Sequence, residues 1–199
     1  MIPQRKFWLF IGVLTLGVAF CIAFVDQPVA LFFSVHRGLR PVFQAFAAPS
    51  LLSLPFAGLV LLWSVWRRLR GASRTNGPLL AMSLATLVST AAKDELKWIF
   101  GRPWPTTWLR YGDYSFHPFA VSILDGAFPS GHTSYITAPL AVLWVLYPRW
   151  RLAYGATIFL VMFGLVGAGY HFVADVLGGL IAGALSAWGT LVLMEPRRA

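Results

Sequence analysis

The chain has 199 residues, of which 58% are hydrophobic and 12% are charged. Its mean hydropathy of +0.69 lies far from the average of water-soluble domains, which excludes an ordinary soluble globular protein. The net charge of +9 could indicate a nucleic-acid-binding protein. However, the cations lie between apolar stretches rather than along one basic face, so no nucleic-acid partner is expected.

Six apolar stretches are candidate transmembrane helices, each of which needs about 20 residues to cross a bilayer. They cover residues 7–25, 51–66, 78–100, 134–147, 152–170 and 174–194. The fourth is short, and we predict that it spans the membrane because the topology on either side requires a crossing. The sequence therefore predicts an all-α fold, in which residues 1–199 form a single integral membrane domain built as a six-transmembrane-helix bundle.

The positions of the cations predict the orientation of this bundle. Ten cations fall at alternate ends of successive stretches: Arg5, Lys6, Arg67, Arg68, Arg70, Arg74, Arg149, Arg151, Arg197 and Arg198. By the positive-inside rule these ends and both termini are cytoplasmic, and a bacterial-type inner membrane is the expected location. The other six lie on the opposite, periplasmic face: Arg37, Arg40, Lys93, Lys97, Arg102 and Arg110. The rule does not account for these six, so they need another explanation.

The segment after the first stretch begins with Asp26, which supplies the charge that ends the apolar run. It is predicted to form an amphipathic helix, or a pair of helices, at the membrane interface. Four phenylalanines are available to face lipid: Phe32, Phe33, Phe43 and Phe46.

Glycines in the last two stretches predict close helix packing. Gly179 and Gly183 have the small-xxx-small spacing that lets two helices approach closely, and Gly164 and Gly167 belong to a second small-residue face.

A cationic cluster is predicted at the end of the third stretch. Lys93 and Lys97 are four residues apart and share one helix face, and Arg102 follows Gly101, which is expected to end the helix. Such a cluster could bind a phosphate, with Arg as a fork and Lys as a point charge. The alternative is that the lysines extend to the membrane interface without binding anything.

A second candidate site lies where the fourth stretch begins. Ser130 and Gly131 form a turn at the start of a helix, where backbone N–H groups and the helix dipole favour an anion. His132 in this turn could donate a proton to a leaving oxygen, although the turn could also be an ordinary helix cap. His117 and Asp125 in the preceding loop are expected to be solvated, with Asp125 kept as a possible site residue.

The third candidate site lies between the last two stretches. On a continuous helix His171 and Asp175 would share a face, so that the carboxylate accepts the proton of one ring nitrogen and leaves the other as a nucleophile. An ionisable pair at the mouth of a membrane bundle is costly to retain and indicates function.

Together, the three sites resemble the type 2 phosphatidic acid phosphatase superfamily over the third to the sixth stretch. The family motifs have counterparts in Lys97 and Arg102, in Pro129, Ser130, Gly131 and His132, and in His171 and Asp175. The resemblance implies a lipid phosphatase in which His171 attacks phosphorus to form a phosphohistidine, Asp175 orients it, and His132 protonates the departing alkoxide.

The same resemblance implies that the phosphoryl oxygens are stabilised by Ser130, Gly131, Lys97 and Arg102. It implies no cofactor and no metal, and a zinc site is also disfavoured because Lys97 and Arg102 would repel a dication. The expected partners are a lipid phosphate substrate and the surrounding lipids. The sequence identifies neither the lipid nor the oligomeric state.

The chain departs from the family pattern at two positions. With the usual spacing after Lys97, the position of the motif arginine is occupied by Trp104, so Arg102 comes two positions early. The third motif usually has an arginine six positions before its histidine, where this chain has Leu165. Lys93 or Arg110 could supply the missing charge.

The absence of that arginine leaves two alternatives to hydrolysis. Related phosphotransferases resemble this chain in having the His and Asp without the arginine, and they pass the headgroup to another lipid. A relative without catalytic activity that binds lipid phosphate is the third reading.

Overall fold

The structure, a computed structural model, describes residues 4–71 and 76–194, and the regular secondary structure in these ranges is entirely helical. The α-helices are α1 (Gln4–Phe24), α2 (Asp26–Val35), α3 (Arg40–Ala47), α4 (Ser53–Leu69), α5 (Gly77–Phe100), α6 (Pro105–Tyr111), α7 (Gly131–Leu146), α8 (Arg151–Gly167) and α9 (Val173–Met194). Short 3-10 helices lie at Arg37–Leu39, Ala48–Leu52 and Pro148–Trp150. The six long helices α1, α4, α5, α7, α8 and α9 overlap the six predicted stretches in order.

Four helical segments of the described chain are long and apolar enough to cross a membrane. They are Gln4–Phe24, Arg37–Leu69, Pro148–Gly167 and Val173–Met194. Of the other two long helices, α7 has only 16 residues and α5 carries four charged residues near its end. The chain is therefore an all-helical membrane protein with several apolar helices, as the composition predicts.

Helix α9 forms the centre of the bundle and packs against α1, α5 and α7. Half of its most apolar stretch is buried, compared with 22% to 28% in the other three segments. A Cβ atom added at Gly179 would lie 2.5 Å from the backbone oxygen of Ser130, and one at Gly183 would lie 2.5 Å from that of Ser134. The predicted small-residue face therefore brings α9 against the backbone of α7.

Helix α3 lies against α8 rather than only on the surface. A Cβ atom added at Gly167 would lie 2.4 Å from the ring of Phe43, which is buried, so the glycines of α8 form the groove that receives this ring. Phe33 also packs against the core, whereas Phe32 remains exposed. Of the four phenylalanines available to face lipid, Phe43 instead enters the α8 groove, because Gly167 has no side chain, and Phe33 packs against the core.

One end of the bundle, here named the aspartate end, gathers the last residues of α1, α5 and α8 and the first residues of α7 and α9. Two hydrogen bonds across this end show the convergence: Ala174 N–H donates to Asp26 Oδ1 at 2.9 Å, and Ser130 N–H donates to the Asp175 carbonyl at 2.9 Å. Successive long helices therefore run in alternate directions.

The predicted cytoplasmic cations within the described residues all lie at the other end of the bundle. They are Arg5, Lys6, Arg67, Arg68, Arg70, Arg149 and Arg151. Arg74, Arg197 and Arg198 lie outside the described residues. Which of the two ends is cytoplasmic stays a prediction of the positive-inside rule.

The first testable prediction concerns orientation. In a Cys21→Ala background, Val121→Cys is placed in the loop at the aspartate end and Arg70→Cys in the turn after α4 at the other end, where both side chains are exposed and lie outside the candidate membrane spans. A membrane-impermeant maleimide applied to spheroplasts should label the first variant, whereas the second should react only after permeabilisation. The reverse pattern would place the aspartate end in the cytoplasm.

The second prediction concerns the contact between α7 and α9. Gly183→Ala should lower the free energy of unfolding in mixed micelles by about 1–3 kcal/mol, because the added methyl group overpacks this contact. Gly189→Ala is the matched control, since a Cβ atom there meets nothing within 4 Å. Equal effects of the two substitutions would show that helix propensity, rather than close packing, explains Gly183.

Candidate active site

A cavity of about 450 Å³ opens at the aspartate end. Its lining includes five of the predicted site residues: Lys93, Lys97, Gly131, His132 and His171. Leu51, which follows α3, forms part of another wall, as does Leu165 of α8. A second cavity of about 490 Å³ lies among α1, α7, α8 and α9 and contains none of the predicted site residues.

His171 lies in the turn between α8 and α9, with its Nδ1 3.4 Å from Asp175 Oδ2. The fifth predicted stretch extends to residue 170, but α8 ends at Gly167 and the chain turns through Gly169, whose φ is +74°. The prediction that His171 and Asp175 share one continuous helix is therefore wrong, although the turn still brings the two side chains together. With Nδ1 directed toward the carboxylate, Nε2 is the ring nitrogen left for chemistry.

Asp175 is completely buried and held by hydrogen bonds on both carboxylate oxygens. Arg102 Nη1 donates to Oδ1 at 2.6 Å, and the backbone N–H of Phe172 donates to Oδ2 at 2.9 Å. Phe172 is the N-cap residue of α9, and Asp175 is the third residue of that helix. The bond from the Phe172 N–H to the Asp175 side chain is therefore the one that a capping box forms between its third helical residue and the N-cap backbone. The start of α9 thus fixes the carboxylate beside His171.

Arg102 does not line the cavity, since its side chain is completely buried between two aspartates. Its Nη2 donates to Asp26 Oδ2 at 2.7 Å, opposite the bond from Nη1 to Asp175. Gly101, with φ of +54°, ends α5 and sends the chain inward at this point. This placement does not fit the predicted role of Arg102 as a phosphate ligand, because both ends of the guanidinium are occupied by carboxylates.

Tyr114 completes this buried cluster from the loop that follows α6. Its hydroxyl accepts a hydrogen bond from Arg102 Nη2 at 2.9 Å and donates to the carbonyl of Ile22 at 2.8 Å. Burial, reinforced by the charge of Asp26, raises the pKa of the Tyr114 hydroxyl above its usual value. The tyrosine is therefore a neutral partner that carries no charge into the cluster.

The first turn of α7 borders the cavity through Gly131 and His132. Ser130 itself is buried and caps the helix, because its Oγ accepts a hydrogen bond from the N–H of Thr133 at 3.4 Å. The Ser130 side chain is thus an ordinary helix cap, which is the alternative to anion binding at this turn. Gly131 and His132 begin α7, where the first N–H groups of a helix have no partner within the helix, and both residues border the cavity.

Lys93 and Lys97 are the two cations among the described residues that line the cavity. Lys97 Nζ donates to the carbonyl of Gly126 at 2.6 Å and lies 4.8 Å from the centre of the Trp104 ring. Lys93 forms an ion pair with the exposed carboxylate of Asp94. These two lysines bring the positive charge that a phosphate requires.

Arg110 and Asp125, the other possible site residues, lie away from the cavity lining. Arg110 is exposed and stacks over the ring of Tyr111. Asp125 Oδ1 lies 3.2 Å from Nδ1 of His117, and Asp113 flanks the same imidazole at 3.3 Å. Asp113, His117 and Asp125 therefore form a separate cluster in the loop before α7.

Asp26 is the residue that sequence reasoning missed. It is 1% exposed and contacts the site through Arg102, whereas the sequence predicts only that its charge ends the first apolar stretch. One available signal was the cost of an ionisable residue at the edge of a membrane helix, which usually requires a buried partner.

Within residues 4–71 and 76–194, no three or more His, Cys, Asp or Glu side chains form a group that could bind a metal ion. The absence of a metal requirement stays a prediction.

Known proteins similar to the chain include two curated lipid A 1-phosphatases. The enzyme from Rhizobium johnstonii is 36% identical over 97 residues, which cover 49% of this chain and 38% of the relative. The enzyme from Rhizobium etli is 35% identical over 97 residues, which cover 49% of this chain and 40% of the relative. The chain therefore matches well under half the length of these relatives.

A solved structure shares the fold. The crystal structure of the PAP2-type phosphatidylglycerolphosphate phosphatase from Bacillus subtilis matches with a TM-score of 0.53 and 18% identity, over 100% of both chains. The PAP2 superfamily model matches residues 77–199, which is more than half of the sequence and contains all three motifs. The chain therefore belongs to the PAP2 superfamily, as its motifs predict.

Proposed function

We propose that the chain hydrolyses a phosphate monoester or diphosphate of a lipid, at a periplasmic site formed by a bundle of six membrane-spanning helices. The observation that carries the proposal is the position of His171, which has a buried carboxylate behind Nδ1 and a cavity with two lysines beside the ring. The lipid phosphatases among the relatives support the substrate class.

In the first step, His171 Nε2 attacks phosphorus and the bond from phosphorus to the lipid oxygen breaks. Asp175 Oδ2 lies 3.4 Å from Nδ1 and accepts the Nδ1–H as positive charge develops on the ring, which keeps Nε2 unprotonated and stabilises that charge. His132 lines the same cavity and donates its proton to the departing alkoxide. The products are the free lipid alcohol and a phosphohistidine.

In the second step, a water molecule attacks the phosphohistidine. His132, now without its proton, accepts one from this water, the bond between phosphorus and Nε2 breaks, and inorganic phosphate leaves. The enzyme returns to its starting protonation state.

Both steps accumulate negative charge on the phosphoryl oxygens. Lys93, Lys97 and the first N–H groups of α7 meet this charge in a fixed arrangement, which is the most effective form of transition-state stabilisation. No arginine among the described residues lines the cavity, so the lysines carry this role.

Headgroup transfer to a second lipid is the second candidate. It is favoured by Leu165, an apolar side chain that lines the cavity where the family pattern has an arginine. An assay with purified lipid phosphates separates the possibilities. Free phosphate supports hydrolysis, a headgroup on an acceptor lipid supports transfer, and neither product supports a lipid-binding relative without activity.

The third prediction separates the roles of the two histidines. His171→Ala should abolish both turnover and the acid-labile phosphate adduct, whatever the leaving group. His132→Ala should lose much less activity on an aryl phosphate with an acidic phenol, because that leaving group needs no proton, and it should accumulate phosphohistidine. An adduct that still forms in His171→Ala would assign the nucleophile to another residue.

The fourth prediction tests the lysines as phosphate ligands. Lys97→Met should lower kcat/KM by more than tenfold, which corresponds to about 1.4 kcal/mol of transition-state stabilisation. Arg110→Met is the matched control, since this exposed arginine is a cation near the aspartate end that does not line the cavity. Similar losses in both variants would indicate a general effect of surface charge instead of direct phosphate binding.

A further inference from the structure

The buried cluster behind His171 contains three charged side chains in a row. Arg102 donates through Nη1 to Asp175 at 2.6 Å and through Nη2 to Asp26 at 2.7 Å. The side chains of all three are 0% exposed. Asp26 lies on α2, outside the residues 77–199 that the family model matches, so the family pattern does not account for it.

The net charge of the cluster determines how strongly it stabilises a positive charge on the His171 ring. Arg102 and Asp175 alone would form a neutral pair, and a neutral pair stabilises a developing positive charge much less than a free carboxylate does. Asp26 supplies the second negative charge, so the three side chains together carry −1. Burial makes this difference large, because interactions between charges are strongest away from water.

Asp26 also positions the carboxylate by backbone contact. Its Oδ1 accepts a hydrogen bond from the N–H of Ala174 at 2.9 Å, one residue before Asp175, while its Oδ2 binds Arg102. The aspartate therefore fixes both the first turn of α9 and the guanidinium that orients the Asp175 carboxylate.

The other charged or titratable groups around His171 do not replace this charge. His132 on α7 and Lys93 and Lys97 on α5 face the ring from the cavity side, and the lysines are positive. Tyr114, on the buried side, is neutral. Asp113 and Asp125 bind His117 in the loop.

We propose that Asp26 is a positioning residue that acts through Arg102, and that it preserves the net negative charge behind the nucleophilic histidine. The inference rests on the proposed function. It assigns Arg102 to the orientation of Asp175 rather than to the substrate.

A double-substitution cycle tests this inference. Asp26→Asn changes the cluster charge from −1 to 0, Arg102→Gln changes it to −2, and the double variant restores −1. Each single variant should lower kcat at least tenfold with KM within twofold, because neither residue lines the cavity. The double variant should be at least fivefold more active than Arg102→Gln. If each substitution damaged the structure independently, the loss of kcat in the double variant would instead be the product of the losses in the two single variants.

Asp113→Asn is the matched control, since this carboxylate belongs to the loop cluster at the same end of the bundle. Its kcat should equal that of the unaltered protein. Phosphate release is measured with phosphatidic acid, phosphatidylglycerol phosphate, undecaprenyl pyrophosphate and a lipid A phosphate in mixed micelles.

Histidine-labelled protein gives a readout that does not need activity. The ¹⁵N signals of His171, identified by their loss in His171→Ala, report the tautomer of the ring and the electrostatic environment of Nδ1. Asp26→Asn should shift these signals, and the double variant should shift them back toward their original positions. Unchanged signals in folded Asp26→Asn would overturn the inference, whereas absence of phosphate release by the unaltered protein would overturn only the proposed function.

Discussion

The guanidinium of Arg102, held between two buried carboxylates, is the interaction on which the arrangement of the aspartate end depends. Arg102 follows the end of α5, and its guanidinium binds both Asp26, which follows α1, and Asp175, which lies in the first turn of α9. The guanidinium thus holds two carboxylates that are 76 and 73 positions away in the sequence, and all three side chains are fully buried. Removing one partner from such a group commonly costs about 3–5 kcal/mol, because the remaining charge is left unpaired.

Close packing between α7 and α9 determines where the rest of the site lies. Because Gly179 has no side chain, α9 approaches the backbone at Ser130, and the N–H of Ser130 reaches the carbonyl of Asp175. The first turn of α7, which carries His132, is thereby tied to the first turn of α9. The geometry of the candidate site therefore depends on backbone contacts between two helices.

Hydropathy and motif spacing predict much of this arrangement because they reflect local requirements. The six long helices, the end of α5 at Gly101 and the helix contact through Gly183 each follow from short stretches of sequence. The direction in which a side chain points depends on distant partners, so the sequence did not reveal that Arg102 turns inward toward Asp26. Phe43 illustrates the same limit, since the groove that buries its ring lies on α8, more than a hundred residues further along the chain.

The wall at Leu51 has a consequence for how a substrate would arrive. This side chain lines the cavity and is 61% exposed, so it lies at an opening of the cavity rather than in the core of the bundle. If the chain acts on a lipid phosphate, as we propose, such an opening would admit the phosphate from the side, with the acyl chains still in the bilayer. For such an enzyme the effective substrate concentration is a mole fraction in the membrane plane, and dilution by other lipids slows turnover even when the bulk concentration is unchanged.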